Sequence, residues 1–267
     1  MEHKENLSRR KISRVLISVS DKSGIVDLSK GLSENGIEIV STGGTSKAIS
    51  EAGIPVRPVE EVTNFPEMMG GRVKTLHPLI FGGILGRDSD KNQMEEHGIE
   101  NIDMVICNLY PFKSAAEKGV DLSSLIEKID IGGPSLLRAA SKNHSRVSVV
   151  TDPGDYGWIL SEISNGGLTF EQRQQLALKS FRHTAEYDSI IQSVLAQRFG
   201  EEELSSSLHL TGIGSPPLRY GENPHQSSVF YSDLLHSAPS VANSEQLQGK
   251  QLSYNCLLYT SDAADDW

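Results

Sequence analysis

Short apolar runs alternate with helix-like segments from residue 14 to residue 150, and this alternation constrains the fold more than any other feature of the chain. The segment at 24–36 places Ile25, Leu28 and Leu32 on one helical face and ends in Asn-Gly, a typical helix stop. The strand-like runs lie at 14–19, 37–40, 54–59, 102–110 and 146–150. This alternation predicts an α/β fold, with a mostly parallel sheet and helices on both of its faces.

The character of the chain changes near residue 200, where we predict a domain boundary. Residues 168–199 show the spacing of one or two long amphipathic helices, whereas the following stretch is rich in Ser, Gly and Pro and lacks periodicity. We therefore expect a polar leader at 1–13, a first domain at 14–199, and a linker with the truncated start of a second domain at 200–267.

Composition excludes several classes of protein. The formal net charge of −10 counts against nonspecific nucleic-acid binding, because such binding needs a basic face. The two cysteines, Cys107 and Cys256, supply neither a disulfide framework nor a zinc cluster. The chain begins without an apolar signal-peptide core, and no apolar run is long enough to span a bilayer. We expect a cytoplasmic protein without nucleic-acid or membrane partners.

Residues 39–50 read IVSTGGTSKAIS and combine adjacent glycines with hydroxyl side chains between a strand and a helix. Backbone N–H groups at such a turn, with the positive end of the helix dipole, favour an anion, most naturally a phosphate. The residues concerned are Ser41, Thr42, Gly43, Gly44 and Thr45. An ordinary strand-to-helix turn capped by Thr45 is the alternative, and this stretch alone does not decide between them.

Two more loops add cations and hydroxyls. The first strand ends in SVSDKSG, which carries Ser18, Ser20 and Lys22. Because the ends of neighbouring parallel strands meet at one edge of a sheet, this loop and the glycine loop together favour a phosphate pocket over two solvated turns. The run MMGGRVKTLHP carries Arg72, Lys74 and Thr75. If that run is extended, Arg72 and Lys74 point the same way; the alternative is a solvated basic edge strand.

Two later segments offer amide, phenol, carboxylate and ammonium groups. CNLYPF ends an apolar strand with Asn108 and Tyr110 on one side, although aromatic packing at a strand end would explain it equally. DIGGPSLLRAASKNH places Asp130 before a glycine pair and a proline that suits a first helical turn. Lys142 closes that helix, where a cation is also favoured simply by the helix dipole.

Taken together and in this order, these motifs and the later LRYGENPHQ resemble the family of the bifunctional purine biosynthesis protein PurH, which joins AICAR transformylase to IMP cyclohydrolase. The resemblance runs from about Arg14 to Asn255. It implies that the first domain has a methylglyoxal-synthase-like fold. It also implies that the Thr-Gly-Gly-Thr loop holds the 5′-phosphate of a purine ribonucleotide.

The activity implied by the resemblance is IMP cyclohydrolase, which closes the ring of formyl-AICAR to give IMP and water. Lys74 would face the developing oxyanion, Tyr110 would donate a hydrogen bond, and Asp130 with Lys142 would form a proton-relay pair. The implied substrate-binding residues are Ser18, Ser20, Lys22, Ser41, Thr42, Gly43, Gly44, Thr45, Arg72, Thr75, Asn108, Gly132 and Gly133. This reaction needs no metal or organic cofactor, and the sequence offers no ligand set for one.

The resemblance implies a different role for the second segment. Its LRYGENPHQ motif matches the start of the transformylase domain, in which Arg219, Tyr220, Gly221, Asn223 and His225 would contact AICAR. The final stretch CLLYTSDAADDW fits the family poorly, and we expect this domain to be incomplete and inactive. The cofactor 10-formyltetrahydrofolate is implied only for the full-length transformylase. Family members are dimers, so a homodimer is an expectation for this chain.

Two alternatives to the cyclohydrolase remain open at this point. One is a regulatory phosphate-binding module, like the effector domain of carbamoyl-phosphate synthetase, which would not need Lys74, Tyr110, Asp130 and Lys142 as a set. The other is a methylglyoxal-synthase-like lyase, which would need a catalytic carboxylate beside the phosphate loop. An assay with dihydroxyacetone phosphate would separate the lyase from the other two.

Overall fold

Five parallel strands form the central sheet, in the order β3-β2-β1-β4-β5. The computed structural model describes residues 9–200, 212–233, 240–241 and 244–262. The strands are β1 (Arg14–Val19), β2 (Glu38–Ser41), β3 (Arg57–Pro58), β4 (Met104–Asn108) and β5 (Ser148–Val150). All five fall within the strand-like runs or within one residue of them, so the prediction of a mostly parallel sheet is confirmed. Residues 1–8 of the predicted leader lie outside the described residues.

The two central strands carry the core. Every residue of β4 is buried, and four of the six residues of β1 are buried as well. Strands covered on both faces have no reason to alternate between apolar and polar residues, and this explains their continuous apolar sequence. The edge strand β3 is only two residues long and contains Pro58, which has no N–H group to donate to a further strand.

Helices cover both faces of the sheet. The helices of the first part of the chain are α1 (Ile25–Glu34), α2 (Gly43–Glu51), α3 (Val59–Thr63), α4 (Pro78–Leu85), α5 (Lys91–Glu96), α6 (Phe112–Glu117), α7 (Leu122–Ile126), α8 (Gly132–Lys142), α9 (Tyr156–Ser164) and α10 (Phe170–Phe199). The helices α1 and α2 connect β1 to β2 and β2 to β3, toward one edge of the sheet. The helices α4 and α8 lie in the connections from β3 to β4 and from β4 to β5, toward the opposite edge. Because such crossovers are right-handed, the two pairs lie on opposite faces.

The helix α10 confirms the amphipathic pattern predicted for residues 168–199, as a single helix of 30 residues. Its buried side includes Leu176, Ser180, Thr184 and Tyr187, spaced three or four residues apart. Among the described residues, no helix combines the length and the apolar character that crossing a membrane requires.

The chain divides into two compact units, Met1–Ile191 and Gln192–Trp267, so the division falls inside α10. In the second unit, β6 (Gly212–Gly214) and β7 (Tyr231–Asp233) pair antiparallel, and α11 (Tyr254–Asp262) follows. The first unit contains the whole parallel sheet. Each unit therefore has its own sheet.

One local prediction needs correction. Thr45 is not the cap of the helix after β2, because α2 begins at Gly43 and its cap residue is Thr42. Thr45 donates its hydroxyl to the carbonyl of Val19 at 3.0 Å, and this contact with the neighbouring strand removes it from the capping position. The glycine pair therefore forms the first turn of the helix.

Candidate active site

The carboxyl ends of β1 and β4 lie side by side where the chain reverses its direction across the sheet. Ligands of open parallel sheets bind at such a point. Asn108 at the end of β4 joins the two ends: its side-chain oxygen accepts from the N–H groups of Ser20 and Asp21, at 2.7 and 2.9 Å. Its amide nitrogen donates to the carbonyl of Asp21 at 2.9 Å. The structure thus gives this predicted substrate ligand an internal role, which fixes the loop after β1.

The first turn of α2 supplies the predicted anion site. The first N–H groups of a helix have no partner within the helix, so those of Gly43 and Gly44 are available to a ligand. The hydroxyls of Ser18 and Thr42 lie 3.2 Å apart and bring the end of β1 against this turn. An anion here would meet backbone donors and hydroxyls from two neighbouring strands.

Two other hydroxyls of the predicted phosphate set point into the protein. Ser41 is fully buried and donates to the carbonyl of Ile17 at 2.8 Å. Thr45 is 3% exposed and makes its own contact with Val19. Both side chains tie β2 and α2 to β1, so the prediction that they anchor phosphate directly is wrong for their hydroxyls.

Two lysine side chains flank the glycine pair. A methyl group on Gly43 would lie 3.2 Å from Lys74 Nζ, and a methyl group on Gly44 would lie 4.0 Å from Lys22 Nζ. Lys22 also donates to the carbonyl of Ser20 at 3.4 Å. The ammonium groups add two positive charges to the N-terminus of a helix, where anions are already favoured. This is the composition expected of a phosphate-binding site.

Arg72 and Lys74 do not act as the predicted parallel pair. Arg72 pairs with Glu127 at 3.1 Å and is largely exposed, whereas Lys74 pairs with Glu67 at 3.0 Å and is mostly buried. The reason is local: Arg72 has helical backbone angles, so the segment is not extended and its side chains do not alternate with period two. Glu67 is a cleft residue that sequence analysis missed, because its segment lacks periodicity.

A second group of residues surrounds Asp130. Its carboxylate accepts hydrogen bonds from the backbone N–H groups of Gly133, at 2.8 Å, and Tyr110. Burial raises the pKa of Asp130 despite these two hydrogen bonds. A methyl group on Gly132 would lie 3.2 Å from the hydroxyl of Thr75. Thr75 directly follows Lys74, so one short segment connects the Asp130 group to the lysines beside α2.

Lys142 does not belong to this group. It is the last residue of α8, and Asp130 lies just before the first. A helix rises about 1.5 Å per residue, which separates the two ends of α8 by about 15 Å. The next residue, Asn143, donates to the carbonyl of Ile84 at 2.7 Å, at the far end of α4. The backbone of α8 therefore holds Asp130 and Lys142 at opposite ends of the helix, and their role as a proton-relay pair stays a prediction.

Tyr187 on α10 is a further residue that sequence analysis missed. Its hydroxyl accepts from the backbone N–H of Asp130 at 2.9 Å and donates to the carbonyl of Lys128 at 3.2 Å. Its ring meets Phe112 edge-on, with ring centres 6.4 Å apart. Burial raises the pKa of Tyr187 to about 12, so the phenol stays protonated. The spacing along α10 indicated only a buried position, because the contact spans 57 residues of chain.

The residues predicted for the transformylase form a local cluster in the second unit. Arg219 donates to the hydroxyl of Tyr220 at 3.1 Å and lies over its ring, 4.9 Å from the centre. The N–H of Gly221 donates to the carbonyl of Gln226 at 2.7 Å. Asn223 bonds to the side chain of the same glutamine at 2.8 Å, and His225 is exposed.

In the described part of the chain, no three His, Cys, Asp or Glu side chains are grouped so that they could hold a metal ion. The donors of the cleft are instead hydroxyls, backbone N–H groups and ammonium groups, which suit an anion.

Two family profiles match the chain. Residues 24–135 match the MGS-like domain, and residues 140–265 match the AICARFT/IMPCHase bienzyme. The first match contains the glycine loop, Lys74, Tyr110 and Asp130, and the second begins inside α8.

Individual proteins match over most of the chain. The bifunctional purine biosynthesis protein PurH of Oceanobacillus iheyensis is 53% identical over 256 residues, which are 94% of this chain and 50% of that protein. PurH of Persephonella marina is 50% identical over 251 residues, 92% of this chain and 49% of that protein. The chain thus spans about half the length of these curated relatives. The crystal structure of ForH aligns with a TM-score of 0.62 at 36% identity, over 69% of this chain and 97% of ForH.

Proposed function

Because the chain belongs to the family of the bifunctional purine biosynthesis protein PurH, we propose that its first unit is an IMP cyclohydrolase. One observation carries this proposal. An anion site made by Gly43, Gly44, Lys22 and Lys74 lies at the same sheet edge as a half-buried carboxylate, that of Asp130. A nucleotide anchored by its phosphate would place its base toward that carboxylate.

The reaction is an internal condensation. The carboxamide nitrogen of formyl-AICAR attacks the formyl carbon, and a new C–N bond forms while the formyl oxygen becomes negative. The carboxamide nitrogen then loses one proton and the formamide nitrogen loses another. Both protons leave with the formyl oxygen as water, and the closed ring is that of IMP. The site must therefore anchor the substrate, stabilise an oxyanion and move protons.

Anchoring falls to the residues beside α2. The N–H groups of Gly43 and Gly44 would bind the 5′-phosphate, with Lys22 and the Ser18 and Thr42 hydroxyls beside them. The other predicted phosphate ligands, Ser41 and Thr45, support this loop from beneath. Thr75, Gly132 and Gly133 are then assigned to the base and ribose.

Proton transfer falls to Asp130. A carboxylate whose pKa is raised by burial is a better base near neutral pH than an exposed one, and this suits the deprotonation of the carboxamide nitrogen. Tyr110 donates its backbone N–H to that carboxylate, and its exposed side chain carries a phenol that would donate to the oxyanion. Lys74 would contribute its positive charge from the other side of the site.

The decisive experiment incubates the purified chain with formyl-AICAR and follows IMP by absorbance. We expect IMP from the wild-type chain and a loss of about 10²- to 10³-fold in kcat for Lys74→Ala, the usual effect of removing one oxyanion-stabilising group. Equal rates would remove Lys74 from the mechanism. Binding of IMP without turnover by the wild-type chain would instead favour a regulatory nucleotide-binding module.

For the second unit, we infer the beginning of an AICAR transformylase. The cluster of Arg219, Tyr220, Gly221 and Asn223 supports this inference, together with the bienzyme match over residues 140–265. Transformylase activity, its cofactor 10-formyltetrahydrofolate and a homodimer are assigned to the longer relatives. We expect the first unit to form IMP from formyl-AICAR.

A further inference from the structure

We propose that Glu67 is an internal stand-in for the substrate phosphate, which holds Lys74 over the glycine turn until an anion displaces it. The inference rests on the proposed function only in taking that anion to be a nucleotide 5′-phosphate. The family resemblance assigns no role to Glu67.

The geometry places the Glu67 carboxylate at the anion site. One carboxylate oxygen lies 3.0 Å from Lys74 Nζ and 3.9 Å from the position of a methyl group on Gly43. The same methyl position lies 3.2 Å from Lys74 Nζ. Glu67, Lys74 and the first turn of α2 thus meet at one point, and the carboxylate supplies a negative charge where the phosphate is expected.

Glycine at position 71 permits this contact. A methyl group there would lie 2.7 Å from the other oxygen of Glu67 and 2.7 Å from Lys74 Cε. The backbone angle φ of Gly71 is +93°, which disfavours other residues at this position. The absence of a side chain at Gly71 therefore allows the carboxylate of Glu67 and the ammonium group of Lys74 to come together.

The loop that carries Glu67 has few buried contacts to lose. Residues 64–70 are all exposed, and Met69 is 71% exposed. A phosphate and a carboxylate within a few ångströms repel each other, so both cannot share Lys74 closely. The incoming phosphate would displace Glu67, which would move outward with its loop and leave the ammonium group of Lys74 free to face the developing oxyanion.

The test measures the affinity of the full chain for inorganic phosphate and for IMP by calorimetry. We expect Glu67→Gln to bind both anions roughly three- to tenfold more tightly. The substitution removes a negative charge that repels anions from this partly exposed site. KM for formyl-AICAR should fall by a similar factor. If Glu67 merely supports Lys74, the same variant binds more weakly and KM rises, so the sign of the change decides.

A matched control and a double variant complete the test. Glu127→Gln removes the same charge from a well-exposed ion pair, with Arg72, and should change phosphate affinity less than about twofold. With Lys74→Ala present, Glu67→Gln should lose most of its effect, because the carboxylate is then no longer held at the site. An undiminished effect in that double variant would overturn the proposal.

Two further results keep the inference separate from the proposed function. If a thermal melt shows that Glu67→Gln folds poorly, the phosphate affinity of Glu67→Asp is measured instead. The aspartate side chain is one methylene shorter, so its carboxylate lies farther from Lys74. Unchanged phosphate affinity in Glu67→Asp would count against the proposal. Tighter phosphate binding in a chain that forms no IMP would support Glu67 and reject the cyclohydrolase. Normal IMP formation by the wild-type chain, with phosphate affinity unchanged in Glu67→Gln, would support the cyclohydrolase and reject the role of Glu67.

Discussion

At the scale of single residues, burial sets the behaviour of Asp130. Its carboxylate has backbone donors from Gly133 and Tyr110, yet its pKa is raised because desolvation outweighs them. Asp130→Asn keeps an oxygen that can accept both hydrogen bonds but cannot take a proton. We expect kcat for IMP formation to fall by about 10²- to 10⁴-fold, the range for loss of a general base. Phosphate affinity, measured by calorimetry, should stay the same; a parallel loss of both would indicate a misfolded cleft.

The same residue predicts a pH dependence of stability. A carboxyl whose folded pKa exceeds its unfolded value binds its proton more tightly in the folded state, so the free energy of unfolding falls as pH rises between the two values. Asp130→Asn should therefore be more stable than wild type at neutral pH, and the difference should shrink as pH falls through the raised pKa. Urea denaturation at neutral pH and near pH 4 tests this. A difference that grows on acidification would contradict it.

The distance between Asp130 and Lys142 makes a further prediction. The two ends of α8 are about 15 Å apart, and residues so far apart contribute independently. A double-mutant cycle with Asp130→Asn and Lys142→Ala, followed through kcat, should give a coupling energy below about 0.5 kcal/mol. A larger coupling would show that the two side chains communicate in the reacting enzyme.

At the scale of elements, the first turn of α2 requires glycine more strictly at position 43 than at position 44. Gly43 has a φ of +42°, a left-handed conformation that costs other residues about 1–2 kcal/mol. A methyl group there would also meet Lys74 Nζ at 3.2 Å. We expect Gly43→Ala to weaken phosphate binding by about tenfold, the equivalent of 1.4 kcal/mol.

Gly44→Ala is the matched comparison. Its methyl group would meet Lys22 Cε at 3.8 Å, an ordinary van der Waals contact. Its effect on phosphate affinity should be clearly smaller than that of Gly43→Ala. Equal effects would mean that backbone conformation is not what limits substitution in this turn.

The contact of α10 with the loop before α8 is the second prediction at this scale. Tyr187→Phe removes the hydroxyl that joins Lys128 to Asp130 but keeps the ring against Phe112. We expect kcat to fall about threefold to thirtyfold with KM unchanged, because a buried hydrogen bond worth about 1–2 kcal/mol is lost and Asp130 is less well positioned. Steady-state kinetics measure both parameters.

Tyr156→Phe is the control for that variant. It deletes another buried phenol, on α9, an element that makes none of the contacts with Asp130 or Lys128 described above. Its kcat should remain within about twofold of wild type, as expected for a substitution outside the functional groups. A general effect of lost phenols would lower kcat in both variants alike.

At the scale of the whole molecule, every residue assigned to the cleft lies in the first unit, which ends at Ile191. A shortened chain ending at Phe199 would keep that unit and the whole of α10. We expect it to form IMP at the rate of the 267-residue chain and to unfold at the same urea concentration. A loss of activity on shortening would place a required contact after residue 199.

Local sequence patterns were enough to predict how strands and helices follow one another along the chain, and the chemistry of the glycine loop. Both depend on residues close together in the chain: the apolar run of β1, the periodic face of α1, and the glycines between β2 and α2. Local steric and hydrophobic preferences act over a few residues, so the local sequence is sufficient to predict these features.

The contacts between charged and polar groups from distant parts of the chain became clear only from the folded structure. Lys142 follows Asp130 closely in the motif, yet the rise of α8 separates them, whereas Tyr187 reaches Asp130 across 57 residues. Glu67 pairs with Lys74 because a left-handed Gly71 brings the loop back on itself. Such contacts depend on helix length, strand order and loop conformation together, and no spacing along the chain encodes that combination.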